Sequence, residues 1–168
     1  NFFLIFFVFI FIWPMFIQDS VGGLSLLIIF YLTFILARFY PSIGHILIFA
    51  FLIRIIMIYL GSIFILPDSS KDAVMFEKKA FEWSQGGFLN LLSIYSGPSS
   101  KFISWVIAIF YSLFGRSLLM AQSLSLFFGM GSIFFGWLLA KKLWNDNTAT
   151  KVCWVLALFP TLILYSIL

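Results

Sequence analysis

Residues 43–66 run for 24 positions with a single formal charge, Arg54, which stands eleven residues from one end and twelve from the other. As an α-helix this stretch would measure about 36 Å, longer than the roughly 30 Å hydrocarbon core of a bilayer. Five further apolar runs fall at 2–17, 21–37, 102–114, 117–140 and 152–168. Only 10% of the residues are charged and 63% are hydrophobic, whereas soluble domains carry about a quarter charged residues. The expected class is all-α, a polytopic transmembrane helix bundle. Its spans are expected at about 2–17, 21–37, 43–66, 117–140 and 152–168, in one transmembrane domain covering 1–168 with no separate soluble domain. A net charge of +4 on so little polar surface speaks to topology and anionic lipid, and nucleic acid is not an expected partner. Asn1 at the start and the apolar run at the end lead us to expect a piece of a longer polytopic protein. The sole cysteine, Cys153, lies in an apolar stretch without companion ligands and reads as packing.

The 102–114 run is 13 residues long before Gly115, too short to cross comfortably and suited to a helix lying in the interface. If it lies flat, 67–116 is one loop on one face, and Arg38, Lys141, Lys142 and Lys151 share the other. The positive-inside rule then assigns the latter group to the cytoplasm and 67–116 to the outside. Within that loop 72–85 reads as a second interfacial helix, with Glu77, Lys78, Lys79 and Glu82 on its polar side and Gly86-Gly87 as its stop. In the 117–140 run, Gly129, Gly131 and Gly136 suggest close helix packing.

Asp72, Phe76 and Ala80 are four residues apart and share one helix face. Asp72 is therefore a candidate general base at the membrane–water boundary. The same residue also suits the positive end of a helix dipole, for a few tenths to about 1 kcal/mol. Asp68, after Pro67, is a second candidate base and equally a turn or cap residue. Arg54 at mid-span is costly by at least about 2.5 kcal/mol and calls for a phosphate, a carboxylate or a polar cavity. Lys78, Lys79 and Lys101 can meet a phosphate or simply face water, and His45 reads as an interfacial histidine. The chain has no glycine-rich phosphate loop, no paired metal-ligand motif and no Ser/His/Asp set.

The order of these features resembles the C superfamily of membrane glycosyltransferases (GT-C). Within it, the likeness is to the bacterial family 39-like branch related to protein O-mannosyltransferases and aminoarabinose transferases. The resemblance covers about 43–168. It is carried by Arg54, by Asp72-Ala73-Val74-Met75-Phe76 with Ala80, and by Pro98 followed by Phe110 to Ser117. Leu138 to Trp144, Leu158-Phe159-Pro160 and Leu164-Tyr165-Ser166 complete it. It implies that the first outward loop holds a catalytic Asp, here Asp72, and two interfacial helices, here 72–85 and 102–114. It also implies a sugar on a polyprenyl phosphate as donor, an acceptor hydroxyl on the outer face, and a bacterial cell (inner) membrane location. Arg54 or Lys101 would meet the donor phosphate. Position 73 is Ala where many members carry a second acid, and 2–17 and 21–37 precede the matching part. No metal site is expected on the residues. The competing classes are a transporter or flippase for a lipid-linked or small polar substrate, with Arg54 as its intramembrane contact, and a non-catalytic membrane assembly subunit.

Overall fold

The computed structural model describes residues 19–64, 70–95, 97, 99 and 101–164, with residues 70–73 by backbone alone. The secondary structure of the described residues is all α-helix: α1 (Ser20–Phe39), α2 (Pro41–Ile63), α3 (Ser70–Ser84), α4 (Gly87–Ile94), α5 (Phe102–Phe114), α6 (Leu118–Leu143), α7 (Asp146–Leu158) and α8 (Pro160–Leu164). Three of them, α1, α2 and α6, are each long and apolar enough to cross a membrane. The 2–17 run lies outside the described residues.

The boundaries follow local chemistry. Asp19 starts α1 by accepting a hydrogen bond from the Gly22 N–H, and Ser117 starts α6 by accepting from the Met120 N–H. Tyr40, at φ −122° and ψ 70° before Pro41, leaves the helical region and separates α1 from α2, because a residue before proline is disfavoured there. Lys141 and Lys142 sit in the last turn of α6, where cations favour the negative end of the helix dipole.

α1, α2, α6 and α7 share one core, with Leu26, Ile46, Phe51, Ile55, Leu126, Ile133 and Cys153 buried in it. α1 and α6 run parallel. Asp19 and Ser117 meet at their starts, and at the other end the Tyr40 ring lies tilted 5.1 Å from Phe134 and edge-on 5.5 Å from Trp137, centroid to centroid. Arg38 and Lys141 therefore lie at one end of this group, and Asp19 and Arg116 at the other.

The structure departs from the expected 152–168 span. A helix begins earlier, at Asp146, with the Asn145 side chain accepting from the Thr148 N–H, and it stops at Leu158. Pro160 has no N–H to continue the ladder, so Phe159 turns extended and the short α8 starts afresh. Residues 165–168 lie outside the described residues.

α3, α4 and α5 form a second, smaller group around Ala80, Leu91, Ile107, Ala108 and Tyr111. Here too the structure adds to the expectation. Gly86-Gly87 ends α3, but Gly87, at φ +78°, reverses the chain into a further helix, α4, instead of an open loop. α4 is tied to α5 by the Trp105 indole N–H, which donates to the Leu91 carbonyl at 2.8 Å. Glu77 of α3 meets Tyr111 near the end of α5, while α4, following α3, meets Trp105 near its start. α3 and α5 therefore run antiparallel.

Candidate functional site

Glu77, expected on the solvated side of α3, is instead 7% exposed and joins Ala80 and Ser84 in the buried stripe of that helix. The reason is a basic partner 39 residues away. Arg116 donates from Nε to Glu77 Oε1 at 2.8 Å and from Nη2 to Oε2 at 2.9 Å. This is the two-pronged geometry that a planar guanidinium and a carboxylate favour. Tyr111, on α5, donates its hydroxyl to the same Oε1 at 3.1 Å. The Arg116 guanidinium also lies 4.5 Å from the ring centre of Phe81, one turn further along α3.

An exposed ion pair contributes about 0–1 kcal/mol. This pair differs because the carboxylate is buried, and losing its donors would leave acceptors unsatisfied at about 1–3 kcal/mol. Arg116 hydrogen bonding holds the Glu77 carboxyl below the usual glutamate range. Burial pushes the other way, and the Tyr111 hydroxyl and Lys78 add to the lowering. The contact is therefore fully formed above the ordinary glutamate pKa and is lost as pH falls through the depressed value. Tyr111 is raised, first by burial and then by the Glu77 charge, and stays a proton donor.

Next to this pair, the Ser117 hydroxyl donates to Asp19 Oδ2. Asp19, Ser20, Glu77, Arg116, Ser117 and Leu118 line an open pocket of about 480 Å³. A second hollow, about 390 Å³, lies on the outer face of α3 between Val74, Met75, Lys78, Lys79 and Glu82. There Lys79 pairs with Glu82 at 2.8 Å and lies 5.8 Å from the Trp83 ring centre, while Lys78 is exposed.

Of the candidates singled out in the sequence, Arg54 and Lys101, whose side chains are described, stand in different helix groups. Asp72 is in the first turn of α3, and its side chain lies outside the described residues, as does Asp68 entirely. About 140° of helix rotation separates position 72 from position 77, so the two acids are on opposite flanks of the Ala80 stripe. Lys101 is exposed at the start of α5, about 15 Å along that helix from Tyr111. Arg54 is fully buried. Its Nη1 donates to the Ala50 carbonyl at 3.1 Å and to the Ala157 carbonyl at 3.4 Å. Ala157 is in the last turn of α7, whose carbonyls have no further helical donors. Among the described residues, Arg54 Nε and Nη2 have no hydrogen-bond partner. A Cβ on Gly129 of α6 would stand 3.4 Å from that Nε. His45 is exposed, 6.0 Å ring to ring from Trp154.

Glu77, Arg116, Tyr111 and Asp19 were not among the sequence candidates. One signal did exist: Glu77 shares a helix face with Ala80 and Ser84, so an acid stands inside a stripe of small residues. No family model, curated protein or solved structure matches the chain.

Proposed function

We propose that the chain is the membrane part of a GT-C type glycosyltransferase. It transfers a sugar from a polyprenyl phosphate to an acceptor hydroxyl at the outer membrane face. The observation that carries this reading is Asp72 in the first turn of α3, an amphipathic helix anchored through Ala80 to α5. That placement joins the ordered resemblance of 43–168 to the transferase family. In this reading α1, α2 and α6 cross the membrane within a multi-pass bundle, α3 and α5 lie at its outer surface, and the location is a bacterial inner membrane.

The chemistry asks little of the protein. Phosphate is already a good leaving group, so one base and accurate positioning suffice. Asp72 removes the acceptor proton, and the bond from the sugar carbon to the phosphate oxygen breaks as the new glycosidic bond forms. Cations near the phosphate stabilise the departing charge. Lys79, two turns beyond Asp72 on the same face, takes that role more readily than Arg54, which is buried in the other helix group, or Lys101, which stands at the N-terminal end of α5, away from the first turn of α3.

Asp72→Asn keeps the size and most of the capping ability of the side chain but removes the base. In the full-length protein, transfer from a polyprenyl-phosphate-linked sugar should fall by about a hundred- to ten-thousand-fold, with expression and folding near normal. Asp68→Asn should do much less. Full activity in the Asp72 variant would sink the transferase reading.

A second reading, a transporter for a lipid-linked or small polar substrate, is favoured by one feature. α7 breaks at Pro160 beside the buried Arg54, and discontinuous helices with such termini line substrate sites in transporters. Uptake or lipid flipping by vesicles holding the Asp72→Asn protein would move this reading ahead.

A further inference from the structure

Three residues, Gly115-Arg116-Ser117, join α5 to α6, and the last two hold different neighbours. Arg116 grips α3 through Glu77 and Phe81. Ser117 caps α6 and donates to Asp19, which caps α1. Gly115 has φ +86°, a torsion that side chains strain to adopt, so the joint sits on glycine's freedom. The α3–α5 group and the α1/α2/α6/α7 group have separate hydrophobic clusters. Met120, Ala121 and Leu124 of α6, with Val21 of α1, supply apolar contact between the groups. Among the described residues, Arg116 and Ser117 make polar ties across the joint.

From this geometry we propose that Glu77 and Arg116 are positioning residues. Their two-pronged pair stops the α3–α5 group from swivelling about Gly115 and so fixes the height and rotation of the first turn of α3, which carries Asp72. The proposal rests on the transferase reading for its catalytic consequence, but the restraint itself is a property of the joint. Glu77 lies about 7.5 Å along α3 from position 72 and acts through the helix, without touching the reacting atoms. Misplacing a reacting group by about 1 Å costs up to a hundredfold in rate, so a small swivel is enough to matter.

The test uses the full-length chain in vesicles, with Cys153→Ala as background and spin labels at Met75→Cys on α3 and Phe127→Cys on α6, both exposed sites. The parent should give a narrow distance distribution. Glu77→Gln and Arg116→Gln should each broaden it, and the reversed pair, Glu77→Arg with Arg116→Glu, should narrow it again. With a polyprenyl-phosphate-linked sugar as probe, the single variants should lower kcat per folded molecule by about ten- to a hundredfold. KM should change little, and the reversed pair should recover kcat. A pair that merely supports folding would change the yield of folded protein and leave kcat alone. If the Gln variants fail to fold, Glu77→Asp and Arg116→Lys, which keep the charges but spoil the fork, should still broaden the distribution. Unchanged widths in these variants, or a reversed pair that stays broad, overturn the proposal. If Asp72→Asn retains transfer, the transferase reading falls while the distances still decide the restraint. If the distances do not respond, the restraint falls and the Asp72 test stands.

Discussion

Arg54 places one nitrogen between the carbonyls of Ala50 and Ala157 and, among the described residues, leaves two more nitrogens without partners. One side chain thus closes the open end of α7 and carries a buried, half-satisfied charge. Replacing a buried ionic group by an apolar one of similar volume is often neutral or better, because the desolvation cost leaves with it. Arg54→Met should therefore keep the unfolding free energy within about 1 kcal/mol of the parent, whereas Arg54→Ala should lose about 2–5 kcal/mol through the cavity it opens. Thermal unfolding in nanodiscs reads both. A loss of several kcal/mol in the Met variant would show that the carbonyl contacts outweigh the unpartnered donors. The need for an interior partner at residue 54 was legible from the cost of a midplane charge alone. The partner was not, because Ala157 lies 103 residues away and a backbone carbonyl leaves no mark in a sequence. Glu77 was hidden in the same way: helical spacing describes one element's faces and says nothing about which distant residue fills the space beside them.

At the scale of elements, the three long helices stood out in the sequence because hydrocarbon thickness imposes a minimum length that composition reveals directly. The shorter ones did not. α4 has eight residues after a pair of glycines that usually means a stop. The start of α7 is a polar turn, Asp146 to Thr150, which an apolar count passes over. The three glycines of α6, read together as a packing face, divide in the structure. A Cβ at Gly136 would stand 2.5 Å from Leu156 Cδ1, while one at Gly131 would meet no described residue within 4 Å. Gly136→Val should therefore cost about 1–3 kcal/mol by overpacking. Gly131→Ala should gain up to about 1 kcal/mol, because alanine suits a helix interior better. Equal shifts for the two in thermal unfolding would mean that α6 and α7 do not pack through Gly136.

For the whole molecule, the parallel course of α1 and α6 sets Arg38, Lys141 and Lys142 at one end and the α3–α5 group at the other. On the positive-inside rule the basic end faces the cytoplasm, and a membrane-impermeant thiol reagent added to intact cells should then label Ser93→Cys strongly and Asn147→Cys hardly at all. The opposite pattern would invert the orientation and remove α3 from the outer face. The joint at Arg116 and Ser117 also sets a timetable. A chain emerges from the ribosome from its N-terminus at about 5–20 residues per second. Asp19 waits 98 positions for Ser117 and Glu77 waits 39 for Arg116, yet the two awaited residues are made one after the other. α1 and α3, synthesised far apart, thus have their fastening partners made at nearly the same moment of translation, and a nascent chain halted before residue 116 has neither.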